Sequence, residues 1–194
     1  MNPSDIRRAV AECRAKYPVL DAGAIPIDMV RFWEIDLRLS LIPVPGLFKR
    51  HAVDAAILPG GDGIYVDENS YVALDTNPPR LSRRLRFTLA HEFAHLVLHM
   101  DAPSALRWSS VGHFEMSVCS IDRTIEREAD EFPGQLLVPY SALPSAFKAR
   151  NVPPHILANP AARHCFAAQL SPRFGVNPHV IGIWLDLEGI WPAI

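Results

Sequence analysis

The chain has 194 residues, 19 Lys+Arg against 21 Asp+Glu (net charge −2), and 49% apolar residues. That suffices for one domain with its own core, and the balanced charge argues against a dedicated nucleic-acid binder. No apolar run approaches the ~18 residues of a membrane span. The N-terminal residues 1–8 lack a signal peptide's apolar stretch. Cys13, Cys119 and Cys165 are odd in number and show no C-x-x-C spacing. They read as reduced, mostly buried thiols, and a cytoplasmic protein follows.

The stretch 4–16 reads as a helix with Ser4 as N-cap and Ile6, Val10 and Cys13 on one face. A second short helix spans 27–34, with Asp28 in its first turn. Residues 37–42 alternate with period two, a strand signal. Segments 52–58 and 63–66 flank Pro59-Gly60-Gly61-Asp62, a hairpin signal, and 71–74 reads as a further strand after a turn at 67–70. These strands predict a small, mostly antiparallel sheet. A helix begins near Ser82 and is apolar on nearly all sides (Leu85, Phe87, Leu89, Phe93, Leu96, Leu98), which places it inside the protein.

Residues 101–119 lack periodicity and read as a long loop. The stretch 122–137 is helical, and Pro133 should kink it or end its first half. Short helices follow at 141–150, 161–174 and 178–187, the last with Asn177 as N-cap and Pro178 at its first position. The fold class is α+β: a small sheet packed on a buried helix, with a helical C-terminal region. The expected organisation is a body over 1–150 and a helical extension over 151–194, joined in one structural unit.

The buried helix carries His91-Glu92-Phe93-Ala94-His95, an H-E-x-x-H motif. Side chains at i and i+4 of a helix are neighbours, so two imidazoles stand one turn apart on one face. Two such nitrogens can hold Zn²⁺, with Glu92 placed to act on its bound water. Two His and a Glu in an otherwise apolar helix also need a reason to be there, because unpaired buried polar groups cost several kcal/mol. Glu126, 31 positions after His95 on a second helix, is the leading candidate for a third ligand. Asp130 follows one turn later on the same face and could accept a hydrogen bond from a ligating histidine. Asp101, Glu128 and His99 are rivals for the third position. Mn²⁺ or Fe²⁺ could replace zinc in a His₂-carboxylate set.

Residues 84–99, Arg84 to His99, resemble the R-x-R-F-T-L-A-H-E-x-x-H-x-x-L-H stretch of the ImmA/IrrE family of metallopeptidases. The segment Glu126-Arg127-Glu128-Ala129-Asp130-Glu131-Phe132, with Leu136-Leu137-Val138-Pro139 after it, is similar to the family's E-x-x-A-N/D-x-F-A…L-L-M-P. The tail 170–178 is similar to its L-A-x-x-F-x-V-S-P. Two departures stand out: Phe93-Ala94 replaces the common Leu-Gly, and Pro133 replaces the Ala after Phe132. The resemblance implies a zincin-like fold of gluzincin type. It implies His91, His95 and Glu126 as metal ligands and Glu92 as catalytic base. It further implies an endopeptidase that cuts a helix-turn-helix (XRE-type) repressor in stress response or in mobile-element and toxin–antitoxin control.

His99, His113 and Tyr140 are candidates for oxyanion or substrate contacts. Residues 71–74 or 63–66 are candidates for an exposed strand that would receive the substrate by β-augmentation. The competing reading is a metal-binding antirepressor or sensor that displaces a repressor without cutting it; Glu92 speaks against it. A DNA-binding tail is a weaker reading, since 178–187 contains neither Lys nor Arg. The expected partner is therefore a protein substrate, with no direct contact to nucleic acid or membrane.

Overall fold

The computed structural model describes residues 1–21, 23–58, 62–74, 79–99, 123–153 and 155–191, with the backbone alone at 79–81. The expected loop at 101–119 lies outside these residues, and with it Asp101, His113 and Cys119.

Helix α1 (Pro3–Lys16) starts two residues earlier than Ser4 suggested. Asn2 is the cap: its side chain accepts the Asp5 N–H and the Asp5 carboxylate takes the Asn2 N–H, while Pro3 fits the first turn. Helix α2 (Met29–Arg31) is capped by Asp28 and runs into a π-helical turn over Phe32–Asp36 that buries Phe32 and Trp33. Strand β1 (Ser40–Val44), helix α3 (Leu47–His51), strand β2 (Ala55–Ile57) and strand β3 (Gly63–Asp67) follow.

The sheet has the order β1-β3-β2. The hairpin expected around 59–62 is present: β2 and β3 pair antiparallel, with Ala55 opposite Val66 and Ile57 opposite Ile64. However, β1 pairs with β3 in parallel, Ser40 opposite Gly63 and Val44 opposite Asp67. The sheet is therefore mixed and not mostly antiparallel. Helix α3 separates β1 from β2 and lets β3 enter between them, an arrangement that turn signals between chain neighbours do not report. The expected strand at 71–74 is also absent. Glu68–Val72 forms helix α4, because Asp67 caps it by accepting the Ser70 N–H.

Helix α5 (Pro79–Leu98) carries the H-E-x-x-H motif. It starts at Pro79, whose fixed φ suits a first helical turn, so Ser82 lies inside the helix. Leu85, Leu89, Ala90, Phe93 and Ala94 are buried in the core. Phe93 meets Tyr17, Phe32 and Phe132 edge-on, and Trp33 Nε1 donates to the Leu89 carbonyl at 3.1 Å. Arg84, near the helix start, is held by Asp54 at 2.6 Å, and Ser70 Oγ donates to the same carboxylate.

Helix α6 (Arg123–Leu137) packs along α5. Pro133 does not end it: the helix runs on through Leu137 and buries Pro133 with Ala129, Phe132 and Leu136. Helices α7 (Leu143–Lys148), α8 (Pro160–Phe174) and α9 (Pro178–Leu187) complete the chain, and α9 begins and ends where the sequence placed it. One buried core extends from Ile6 on α1 to Leu185 on α9. Arg83 and Arg86 on α5 reach α8 and the turn after it, bonding Ser171 Oγ and the Gly175 carbonyl. No described helix is long and apolar enough to cross a membrane.

Candidate metal centre

Two helices build the site. On α5, His91 and His95 are one turn apart, with Nε2 atoms separated by 3.1 Å. From α6, Glu126 sends one oxygen to 3.4 Å from His91 Nε2 and the other to 3.6 Å from His95 Nε2. Donors ~2.0–2.1 Å from a tetrahedral metal stand about 3.3 Å from one another. The three groups already hold that spacing, and all their candidate ligand atoms lie within 4.8 Å of one another.

The hydrogen bonds around these groups fix where the protons sit. Asp130 Oδ1 lies 3.0 Å from His91 Nδ1. An ionised carboxylate only accepts, so His91 Nδ1 carries a hydrogen and its Nε2 keeps a lone pair when the ring is neutral. His95 Nδ1 lies 3.1 Å from His99 Nδ1, on the side of the ring away from Glu126. Both Nε2 atoms thus converge on one point beside a carboxylate. Such a point demands a cation, either a proton or a metal ion, and a His₂-carboxylate set suits zinc.

The electrostatics follow this layout. Burial disfavours a proton on His91, but hydrogen bonds to Asp130 and Glu126 outweigh it and lift the pKa to about 10. Burial, then the neighbouring charge of His91, pushes His95 below its ordinary value. The hydrogen bond with His91 holds Glu126 low. Glu92 is 8% exposed, and burial raises its carboxyl to about 7 against the opposing effects of His91 and a hydrogen bond from the Ile57 N–H. A carboxyl poised near neutrality can both take and return a proton.

Of the rival ligands, Glu128 points away from the trio. Its Oε2 lies 3.2 Å from His99 Nε2, and its Oε1 pairs with the Met1 ammonium. Burial would raise this carboxyl, yet the ammonium and His99 more than offset it and bring it down. His99 is turned inward between His95 and Glu128 and is buried. Tyr140 is exposed and lies beneath Arg7 of α1, beside a cavity of about 270 Å³ lined by Val10, Arg14 and Trp184, and is not among the groups gathered at the trio. His113 lies outside the described residues.

Neither expected substrate strand can receive a peptide. Residues 71–72 close helix α4, and β3 is the central strand, bonded on both sides. What sequence reasoning missed was backbone and distant in sequence: the Ile57 N–H on Glu92, supplied by β2.

No curated protein matches the chain. The profile of the Peptidase_M78 family, described as the IrrE N-terminal-like domain, matches residues 61–183, which include the hairpin strand β3, both site helices and most of the helical tail. Membership suggests peptidase activity and implies a metal, which the donor set at His91, His95 and Glu126 could bind. The chain belongs to the IrrE N-terminal-like (Peptidase_M78) family.

Proposed function

We propose that the chain is a zinc-dependent endopeptidase of the ImmA/IrrE type with a zincin-like centre, acting in the cytoplasm on a helix-turn-helix (XRE-type) repressor. The observation that carries this reading is the convergence of His91 Nε2, His95 Nε2 and Glu126 beside the buried Glu92. His91, His95 and Glu126 would hold the ion. When bound, it supplies Lewis acidity toward water and toward the scissile carbonyl.

The chain's own groups do the rest. Asp130 holds the His91 ring by its Nδ1 hydrogen, leaving Nε2 free to ligate. Glu92 takes a proton from the attacking water on its carboxylate and passes it to the leaving amine. The Ile57 backbone hydrogen bond favours the ionised form of Glu92, the form that accepts the first proton and is restored when that proton leaves. Because β3 is internal, an extended substrate would add as a strand at an edge of the sheet, and β2 is the edge that adjoins α5. The repressor substrate and a role in stress response or mobile-element control rest on the resemblance of residues 84–99 and 126–139 to the family.

The test is cleavage in vitro of a helix-turn-helix repressor encoded beside this chain. Wild-type protein should cut it, and Glu92→Gln should keep stoichiometric zinc and lose cleavage. A Glu92→Gln protein with full biological activity would defeat the peptidase reading and leave a non-catalytic antirepressor in its place.

A further inference from the structure

We propose that His99 is a positioning residue of the metal centre: it fixes His95 in the tautomer whose Nε2 is free to ligate, and Glu128 fixes His99 in turn. This inference rests on the metal-centre reading above.

The relay of hydrogens begins at the carboxylate. Glu128 Oε2 lies 3.2 Å from His99 Nε2 and, when ionised, can only accept. His99 Nε2 therefore carries the hydrogen. A neutral imidazole has one N–H, so His99 Nδ1 is a bare acceptor. That acceptor lies 3.1 Å from His95 Nδ1, which must then be the donor. Its single hydrogen thus placed, the His95 ring presents a lone pair at Nε2, where His91 and Glu126 converge.

Without Glu128, His99 would be free to present its own Nδ1–H to His95. That would move the His95 hydrogen onto Nε2, where it would block the metal. The two ligating rings are thus oriented by different routes. His91 meets the Asp130 carboxylate directly, whereas His95 is tied to a carboxylate through a second imidazole. His99 is only 4% exposed, so it is enclosed between its two partners and does not face solvent. Both supports come from the same pair of helices: His99 directly follows the last residue of α5, one turn beyond His95, whose carbonyl accepts its N–H, and Glu128 sits between Glu126 and Asp130 on α6.

The test measures zinc dissociation constants by competition with a chromogenic chelator. Visible spectra of the Co²⁺-loaded proteins report the ligand field, and circular dichroism confirms folding. His99→Phe and Glu128→Ala should each weaken zinc binding by about 10–100-fold, the usual effect of losing such a support, and should shift the cobalt bands. Glu128→Gln, whose side-chain carbonyl still accepts the His99 Nε2–H, should keep most of the affinity and the wild-type spectrum. If His99→Phe does not fold, the Glu128 pair carries the test. Wild-type affinity and unshifted bands in His99→Phe and Glu128→Ala, with zinc lost in His95→Ala, would overturn the inference and leave the centre standing. A wild-type protein that binds no zinc, or a His95→Ala protein that binds it as tightly, would overturn the centre and this inference with it.

Discussion

Metal uptake should be tied to the proton on His91. In chelator-treated protein, burial works against that proton, but the hydrogen bonds to Asp130 and Glu126 prevail and hold the pKa at about 10. At pH 7 the ring is therefore protonated, about three units below its pKa, and a ligand must lose its proton before it binds metal. Each unit is tenfold, about 1.4 kcal/mol, so the apparent affinity at pH 7 should lie on the order of a thousandfold below its limit. The sign is set by the metal-free state: it holds the proton, so acid favours it and alkali favours the metal complex. His95 is pushed down by burial and by the charge of His91 and brings no second proton. The zinc dissociation constant should fall about tenfold per pH unit and level off near pH 10. Competition titrations between about pH 6.5 and 9, corrected for the chelator's own protonation, would give the slope. Calorimetry in two buffers of different ionisation enthalpy would count at least one proton released per ion. Asp130→Asn keeps an acceptor for Nδ1 and removes its charge, so the levelling-off should move to lower pH. A dissociation constant that stays flat between about pH 7 and 9, with no proton released, would show that His91 does not carry the proton the metal must displace.

Three further substitutions probe how the site is held. A Cβ at Gly134 would collide with the indole of the buried Trp184 at Nε1. Gly134→Ala should therefore lower stability by ~1–3 kcal/mol through overpacking, despite a helix-propensity gain of up to ~1 kcal/mol; a urea midpoint at or above wild type would contradict this. Gly175 ends α8 at φ +63°, and its Cβ would run into the Arg86 guanidinium. Gly175→Ala should loosen the bond between Arg86 and the Gly175 carbonyl and lower the melting temperature, and an unchanged melt would count against that contact. Arg84→Ala strands Asp54, whose carboxyl burial already raises, against Ser70. Because Arg84 keeps about a third of its side chain exposed, the expected loss is only ~1–3 kcal/mol. The Arg84→Ala, Asp54→Ala double variant should recover part of that loss, and strictly additive effects would argue that the pair does not interact.

What the sequence could and could not reveal divides along one physical line. Spacing within a helix is local, so counting from i to i+4 is enough to pair His91 with His95, and Glu126 with Asp130. Caps were legible where two signals agreed, as with Asn177 and Pro178 at α9. They misled where one residue type serves two purposes: Asp67 to Ser70 reads as a turn, but Asp67 with the Ser70 N–H is equally a helix cap, and the helix won. Pro133 removes one hydrogen bond from α6, yet the buried row of Ala129, Phe132 and Leu136 on both sides of it keeps the helix running. The parallel pairing of β1 with β3 and the Ile57 N–H on Glu92 depend on which elements meet across the core, and no local pattern encodes that. His99 shows both halves of the matter. Its place on the face of His95 follows from counting four residues on, to the position just past the end of α5. Its orientation depends on Glu128, 29 positions away on another helix, because a neutral imidazole carries one hydrogen and only a packed acceptor decides which nitrogen holds it.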